Sequence, residues 1–250
     1  MIGLATLLSL VAAVLATSFL SGIFGMLGGL ILMALLLLVL PVPAAMSLHA
    51  VTQMTANGWR ALLWHRYILW RVMPGYIAGS AIAFAILTWI SFQPDAAWVY
   101  IGLGLVPFLA LAVPPGLAPD IRRPFAPVIL GVIVMGVHVV AGVSGALLDI
   151  FFFRTDLDRR QIVATKACSQ TCGHFFKLGY FLLVAGMADV ANELPLWIFA
   201  ISIVTAMTGT TLARYIIERL TNRTFQLWTR WLAALVGLVC LVRGVALLAG

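Results

Sequence analysis

The sequence predicts an all-α polytopic membrane protein built from two inverted pseudosymmetric halves, each a glycine-broken (re-entrant) helical hairpin plus three transmembrane helices. Three observations carry this expectation. The 250 residues are 63% hydrophobic and only 9% charged, with a mean hydropathy of +1.11, whereas a soluble domain is about 25% charged. Apolar runs near the ~20 residues that a bilayer core demands recur from end to end. Finally, a polar stripe occurs twice: His49, Gln53, Asn57, Arg60 and then Lys166, Gln170, His174, Lys177, a constant 117 positions later. The steps within each stripe place all four side chains within about 80° on a helix. A duplicated helix therefore presents hydrogen-bonding groups and positive charge from inside a membrane.

In chain order, residues 2–40 form one apolar stretch, interrupted at Ser21-Gly22-Ile23-Phe24-Gly25-Met26-Leu27-Gly28-Gly29 and closed by Pro41-Val42-Pro43. Clustered glycine frees the backbone to turn, so a broken helix is expected there. Residues 44–65 carry the first stripe, and 72–90 and 96–113 are plain spans. Residues 114–123, rich in proline and charge, form a linker between a first repeat, 1–113, and a second, 124–250. The second repeat runs through 124–153, broken at Gly142-Val143-Ser144-Gly145, the striped helix 158–184, and the spans 194–219 and 227–248. Gly22 and Gly25 match Gly142 and Gly145 at an offset of 120, and Gly79 matches Gly209. The change of offset from 120 to 117 implies three extra residues at Pro41-Val42-Pro43. Stripe, glycines and element order together indicate an internal duplication.

Charge places the connections. Arg66 and Arg71, Arg122 and Arg123, and Arg219, Arg223 and Arg230 mark cytoplasmic loops, whereas the loops at Gln93-Pro94-Asp95 and 188–193 carry no Lys or Arg. Arg154, Arg159 and Arg160 follow segment 124–153, whose start is already cytoplasmic. A re-entrant hairpin turning at Gly142 to Gly145 satisfies both ends. Three full spans per half then invert one half relative to the other, an arrangement used by transporters. No Lys or Arg precedes Arg60, so the amino-terminal stretch lacks the charged region of a signal peptide. The eight tryptophans fall mostly near span ends, as an interfacial belt.

The broken segment 21–29 followed by Ala45-x-x-Leu48-x-x-x-x-Gln53-x-x-x-Asn57, the second break with Ala164-Thr165, and Gly79-Ser80 resemble the sulfite exporter TauE/SafE family, the four-span sulfonate-uptake-type permeases. The resemblance covers essentially the whole chain. It implies a bacterial inner-membrane secondary carrier of small sulfur oxyanions or organic anions, working outward. The chain departs from the family pattern at Gly145-Ala146-Leu147-Leu148-Asp149, which lacks paired glycines, and at Phe151-Phe152-Phe153, where proline is common.

An anion also follows from the residues themselves. Backbone N–H groups freed at a glycine-rich break favour negative charge, as does the amino end of a half-helix. The expected substrate-binding set is Ser21, Gly22, Gly25, Gln53, Asn57 and Arg60 from the first half, with Gly142, Ser144, Gly145, Gln170, His174 and Lys177 from the second. Against this stands the reading of Arg60 and Lys177 as snorkelling side chains and of the glutamines as packing glue. Asp149, an intramembrane carboxylate, is a candidate for binding a coupling proton, or for pairing with Lys166, Lys177 or Arg154. His174 is a second proton-coupling candidate. His138 stands alone on an apolar face and reads as packing.

Cys168, Cys172 and Cys240 read as small apolar packing residues, and no metal, cofactor or nucleic-acid partner is indicated. No catalytic motif (HExxH, GxSxG, P-loop or dinucleotide turn) occurs, so the chain does not read as an enzyme. Expected partners are a small anion, the bilayer and a coupling proton, with a homodimer left open. The reading is export of a small sulfur-containing anion, sulfite first. Carriage of a larger organosulfonate or carboxylate, and an anion channel, are the alternatives.

Overall fold

The computed structural model describes residues 4–114, 118–152, 155–217 and 222–250. Among them the regular elements are helical: α1 Leu4–Phe24, α2 Met26–Val39, α3 Val42–Leu63, α4 Met73–Trp89, α5 Ala96–Ala112, α6 Ala126–Ala141, α7 Gly145–Ile150, α8 Arg159–Val184, α9 Met187–Glu193, α10 Leu196–Ile217 and α11 Asn222–Ala249. Each expected span finds its helix. Short α9, in a connection expected to be loop, is the addition. Phe153, Arg154 and Arg219, on which the sequence expectations also drew, lie outside the described residues.

Local chemistry sets the helix starts. Pro41 precedes α3, with Pro43 in its first turn, where a missing N–H costs nothing. The Asp95 side chain accepts from Trp98 N at 2.9 Å to open α5. Asp158 and Gln161 form a reciprocal capping box at the head of α8.

The two breaks rest on left-handed glycines. Gly25, between α1 and α2, has φ 68°, and Gly142, at the end of α6, has φ 76°, a region open to glycine at little cost. These two glycines stand 117 positions apart, the same spacing as the stripes. The expected pairing of Gly22 with Gly142 is thus out of register by three. Gly25 and Gly28 correspond in spacing to Gly142 and Gly145, and no insertion at Pro41-Val42-Pro43 is needed.

After Gly25 the chain doubles back, so closely that a methyl group on Gly28 would lie 2.0 Å from the Thr17 carbonyl oxygen. The arms are unequal: α1 is long and apolar enough to cross a bilayer alone, whereas α2 has 14 residues. The second segment is shorter, with 16 residues in α6 and six in α7. Its two ends nevertheless meet. Ile121 N donates to Phe151 O at 3.1 Å, and Arg122 bridges Asp120 and Asp156. The Arg122 hydrogen bonds hold the half-buried Asp120 carboxyl below its usual range.

Four helix pairs make the largest contacts: α1 with α10, α4 with α6, α3 with α8, and α5 with α11. Among the described residues, four helices are long and apolar enough to span a membrane, or five if α8 and α9, bent by 98°, count as one. Large apolar side chains on their outer faces, such as Ile82, Ile86, Leu235 and Val242, are exposed, as expected of surfaces solvated by lipid. Between helices the contact is close. A methyl group on Gly79 of α4 would sit 2.0 Å from Val128 O, and one on Gly131 of α6 would sit 2.1 Å from Tyr76 O. In lipid, where apolar burial drives little, such small-residue contact is a main source of helix association.

Gly79→Val therefore forces α4 and α6 apart. The expected result is a loss of about 1–3 kcal/mol, read as a lowered unfolding temperature in detergent. Gly136→Ala, on the same α6 but with no atom within 4 Å of the added methyl, should leave the unfolding temperature unchanged or raise it.

Candidate functional site

The two striped helices α3 and α8 pack against each other and bring both breaks to one place. A small cavity of about 10 Å³, the room of one water, lies there between the breaks. Its lining comprises Gly25, Met26, Gly29, His49, Gln53, Val143, Ser144, Gly145, Gln170 and His174. The tips touch: a methyl group on Gly145 would lie 2.6 Å from Met26 Cβ and 2.9 Å from Gln170 Nε2.

The stripes divide by depth. Gln53 is buried, its Oε1 3.4 Å from Ser21 Oγ, and its Nε2 has no protein partner. The Ser21 hydroxyl donates to Gly25 O at 2.7 Å, so Ser21 braces the first break from behind. Gln170 occupies the matching place on α8, against Gly145. Asn57 turns away from the cavity, donating to Gln53 O at 2.9 Å. Arg60, half-buried, donates to Ser21 O at 2.9 Å and to Asn57 Oδ1 at 3.5 Å. Gly22 is also off the cavity, where a methyl group would meet Ala213 Cβ at 2.3 Å, so it serves the contact of α1 with α10.

Lys177 is fully buried rather than snorkelling to an interface. Its Nζ lies 3.0 Å from the Gly142 carbonyl oxygen, 3.0 Å from His49 Nδ1 and 4.0 Å from Met33 Sδ. Among the described residues, no carboxylate pairs with it. His49 Nε2 is 2.9 Å from Gly29 O. Since a carbonyl only accepts, Nε2 carries the hydrogen, and Nδ1 offers its lone pair to the Lys177 ammonium. With only neutral acceptors around it, this lysine is costly to hold in its charged form.

Asp149 pairs with Lys166 rather than Lys177, and Arg154, the third partner expected from sequence, lies outside the described residues. The pair lies one helical turn beyond Gly145 and Gln170, and both side chains are part-exposed. His138 is the residue that sequence reading missed. Far from standing alone, it is 2.8 Å from Ser144 Oγ through Nε2, and its ring centroid is 4.4 Å from that of His174. His138 occupies the place four residues before Gly142 that Ser21 holds before Gly25, so the corrected register is the signal that finds it. No group of three or more His, Cys, Asp or Glu suited to a metal ion occurs among the described residues.

The site thus joins two glycine breaks, paired glutamine amides, a hydroxyl and a buried ammonium around a water-sized space. Comparison with curated proteins and with solved structures finds no match. A family does: the model described as Sulfite exporter TauE/SafE matches residues 10–240, nearly the whole chain, and the protein belongs to that family of membrane transporters.

Proposed function

We propose that the chain is a secondary transporter exporting a small sulfur-containing anion, sulfite first, across the bacterial inner membrane. The observation that carries this reading is the Lys177 ammonium, buried without a carboxylate and fixed behind a cavity lined by the Gln53 and Gln170 side chains and both breaks. Such a place favours an anion, because an incoming negative charge meets a positive charge whose desolvation cost the fold already carries. Amide and hydroxyl donors from Gln53, Gln170 and Ser144 would replace part of the lost hydration. The amino end of the 14-residue α2 adds favourable dipole.

Alternating access between two inverted halves is the proposed mechanism. Exchanging α1 to α5 with α6, α7, α8, α10 and α11 turns the α1–α10 contact into the α6–α4 contact, and maps α3–α8 and α5–α11 onto themselves. That self-consistency supports a two-fold relation of the first repeat, 1–113, to the second, 124–250. The meeting of Ile121 with Phe151 supports a segment that enters and returns on one side. A cavity of about 10 Å³ is too small for a sulfur oxyanion, so the touching tips must part to admit one. That requirement favours a carrier over an open channel.

Three outcomes test the reading. Purified protein should bind sulfite in a calorimetric panel with thiosulfate, sulfate, sulfoacetate, taurine and acetate. Lys177→Met, apolar and of similar length beside Met33, should fold yet lose about 2 kcal/mol of anion affinity, a charged hydrogen bond, more for a divalent than a monovalent anion. If Lys177→Met and Gln170→Leu both bind every anion as the parent does, the stripes are packing devices. Gly145→Ala, whose methyl group occupies the space between Met26 and Gln170, should abolish sulfite binding and efflux from proteoliposomes while the protein remains folded. Unchanged efflux would move the site elsewhere.

A further inference from the structure

Beside the anion cavity lies a second feature that neither breaks nor glutamines explain. Lys177, His49, His174 and His138 run in contact through the interior and end on Ser144. His174 and His49 ring centroids are 5.4 Å apart, and His174 and His138 are 4.4 Å apart. All four residues are buried. Two ring nitrogens in this run, Nδ1 of His138 and Nδ1 of His174, have no hydrogen-bond partner, and neither does the buried Tyr76 hydroxyl. That hydroxyl and His138 Nδ1 both crowd Gly173, at 2.9 and 3.0 Å from where its methyl group would stand.

We infer that the His138–His174 pair is a proton seat, filled when the anion binds, so that anion and proton are carried together. This rests on the anion-carrier reading above. His138 Nε2 is engaged with Ser144 Oγ, which leaves Nδ1 turned into the protein beside Gly173 and the Tyr76 hydroxyl, without a hydrogen bond of good geometry. His174 lines the anion cavity itself, so charge gained on its ring faces the substrate. No described ionisable neighbour supplies free negative charge to hold a proton in the empty site. Lys177 on α8 and His49 on α3 are bases, Tyr76 on α4 supplies a neutral hydroxyl with Cys172 beyond it, and Asp149 on α7 is taken by Lys166. No free carboxylate among the described residues stabilises an imidazolium there. An anion in the cavity supplies the missing negative charge. Anion and proton then strengthen each other's binding, and by linkage the effect is reciprocal. The consequence is reduced net charge per cycle, so that the anion and pH gradients set direction more than membrane potential does.

The test is proton uptake on sulfite binding to the full-length protein in detergent. It is measured by calorimetry in buffers of differing ionisation enthalpy, at a pH where sulfite is fully dianionic. The parent should take up about 0.5–1 proton per sulfite bound. His174→Asn and His138→Ser place in the second half the residues that stand at positions 57 and 21 of the first. Each should still bind sulfite, more weakly, with proton uptake falling towards zero. A parent that binds sulfite without proton uptake overturns the inference but leaves the carrier reading standing. Undiminished uptake in either variant also overturns it, because the proton then sits elsewhere. Loss of sulfite binding in both variants places the rings in the anion site proper and removes the separate proton seat. A parent that binds no sulfite overturns the carrier reading, and this inference with it.

Discussion

The Lys177 ammonium is the contact on which the interior depends. A cation inside an apolar bundle has to be met by acceptors, and in lipid these come from the protein alone. Lys177 takes the Gly142 carbonyl, at a break where the helix ladder ends, and the lone pair of His49. His49 in turn donates to Gly29 O. One charge therefore ties α8 to the second break, to α3 and, through His49, to α2. The left-handed turn at Gly142 and the buried cation solve each other's problem: the turn exposes an acceptor, and the cation occupies it.

Rigidity is distributed unevenly around that centre. The outer pairs α1–α10 and α4–α6 meet through glycines that leave no room for adjustment, as at Gly22, Gly79 and Gly131. The tips, by contrast, meet through Met26 against Gly145, while the hydrogen bonds of Ser21 and Ser144 stay within their own breaks. Separating the tips loses a few dispersion contacts, whereas separating α4 from α6 breaks a continuous close-packed face. Motion that opens the site is therefore cheapest at the breaks.

Much of this was legible in the sequence. Composition and apolar run length predicted an all-helical chain with several spans, and the repeated stripe predicted that α3 and α8 carry the polar interior. The register of the breaks was harder to read, because Gly22, Gly25, Gly28 and Gly29 crowd together and glycine serves both turning and close approach. Only backbone conformation separates Gly25, which turns the chain, from Gly22, which admits α10. With the register displaced by three, the link between Ser21 and His138 was invisible, and so were the contacts of His138 with Ser144 and His174. Short α9 escaped notice because seven residues bounded by Gly186 and Pro195 hold too little periodicity to distinguish helix from loop.

The two stripes share scaffold but not charge, and the difference has a physical reason. Glutamine stands at both 53 and 170, and a neutral amide facing a small cavity costs less than a buried charge would. The remaining positions diverge: His49 against Lys166, Asn57 against His174, Arg60 against Lys177. Two unpaired cations at one water-sized cavity would repel strongly in low dielectric. Of the five basic positions, His49, Arg60, Lys166, His174 and Lys177, the structure commits three to other partners. Arg60 is turned to the Ser21 carbonyl, Lys166 is neutralised by Asp149, and His49 remains an acceptor for Lys177. Arg60 and Lys177 are both met by neutral acceptors alone, but only Lys177 is fully buried, between His49 and the carbonyl of the second break.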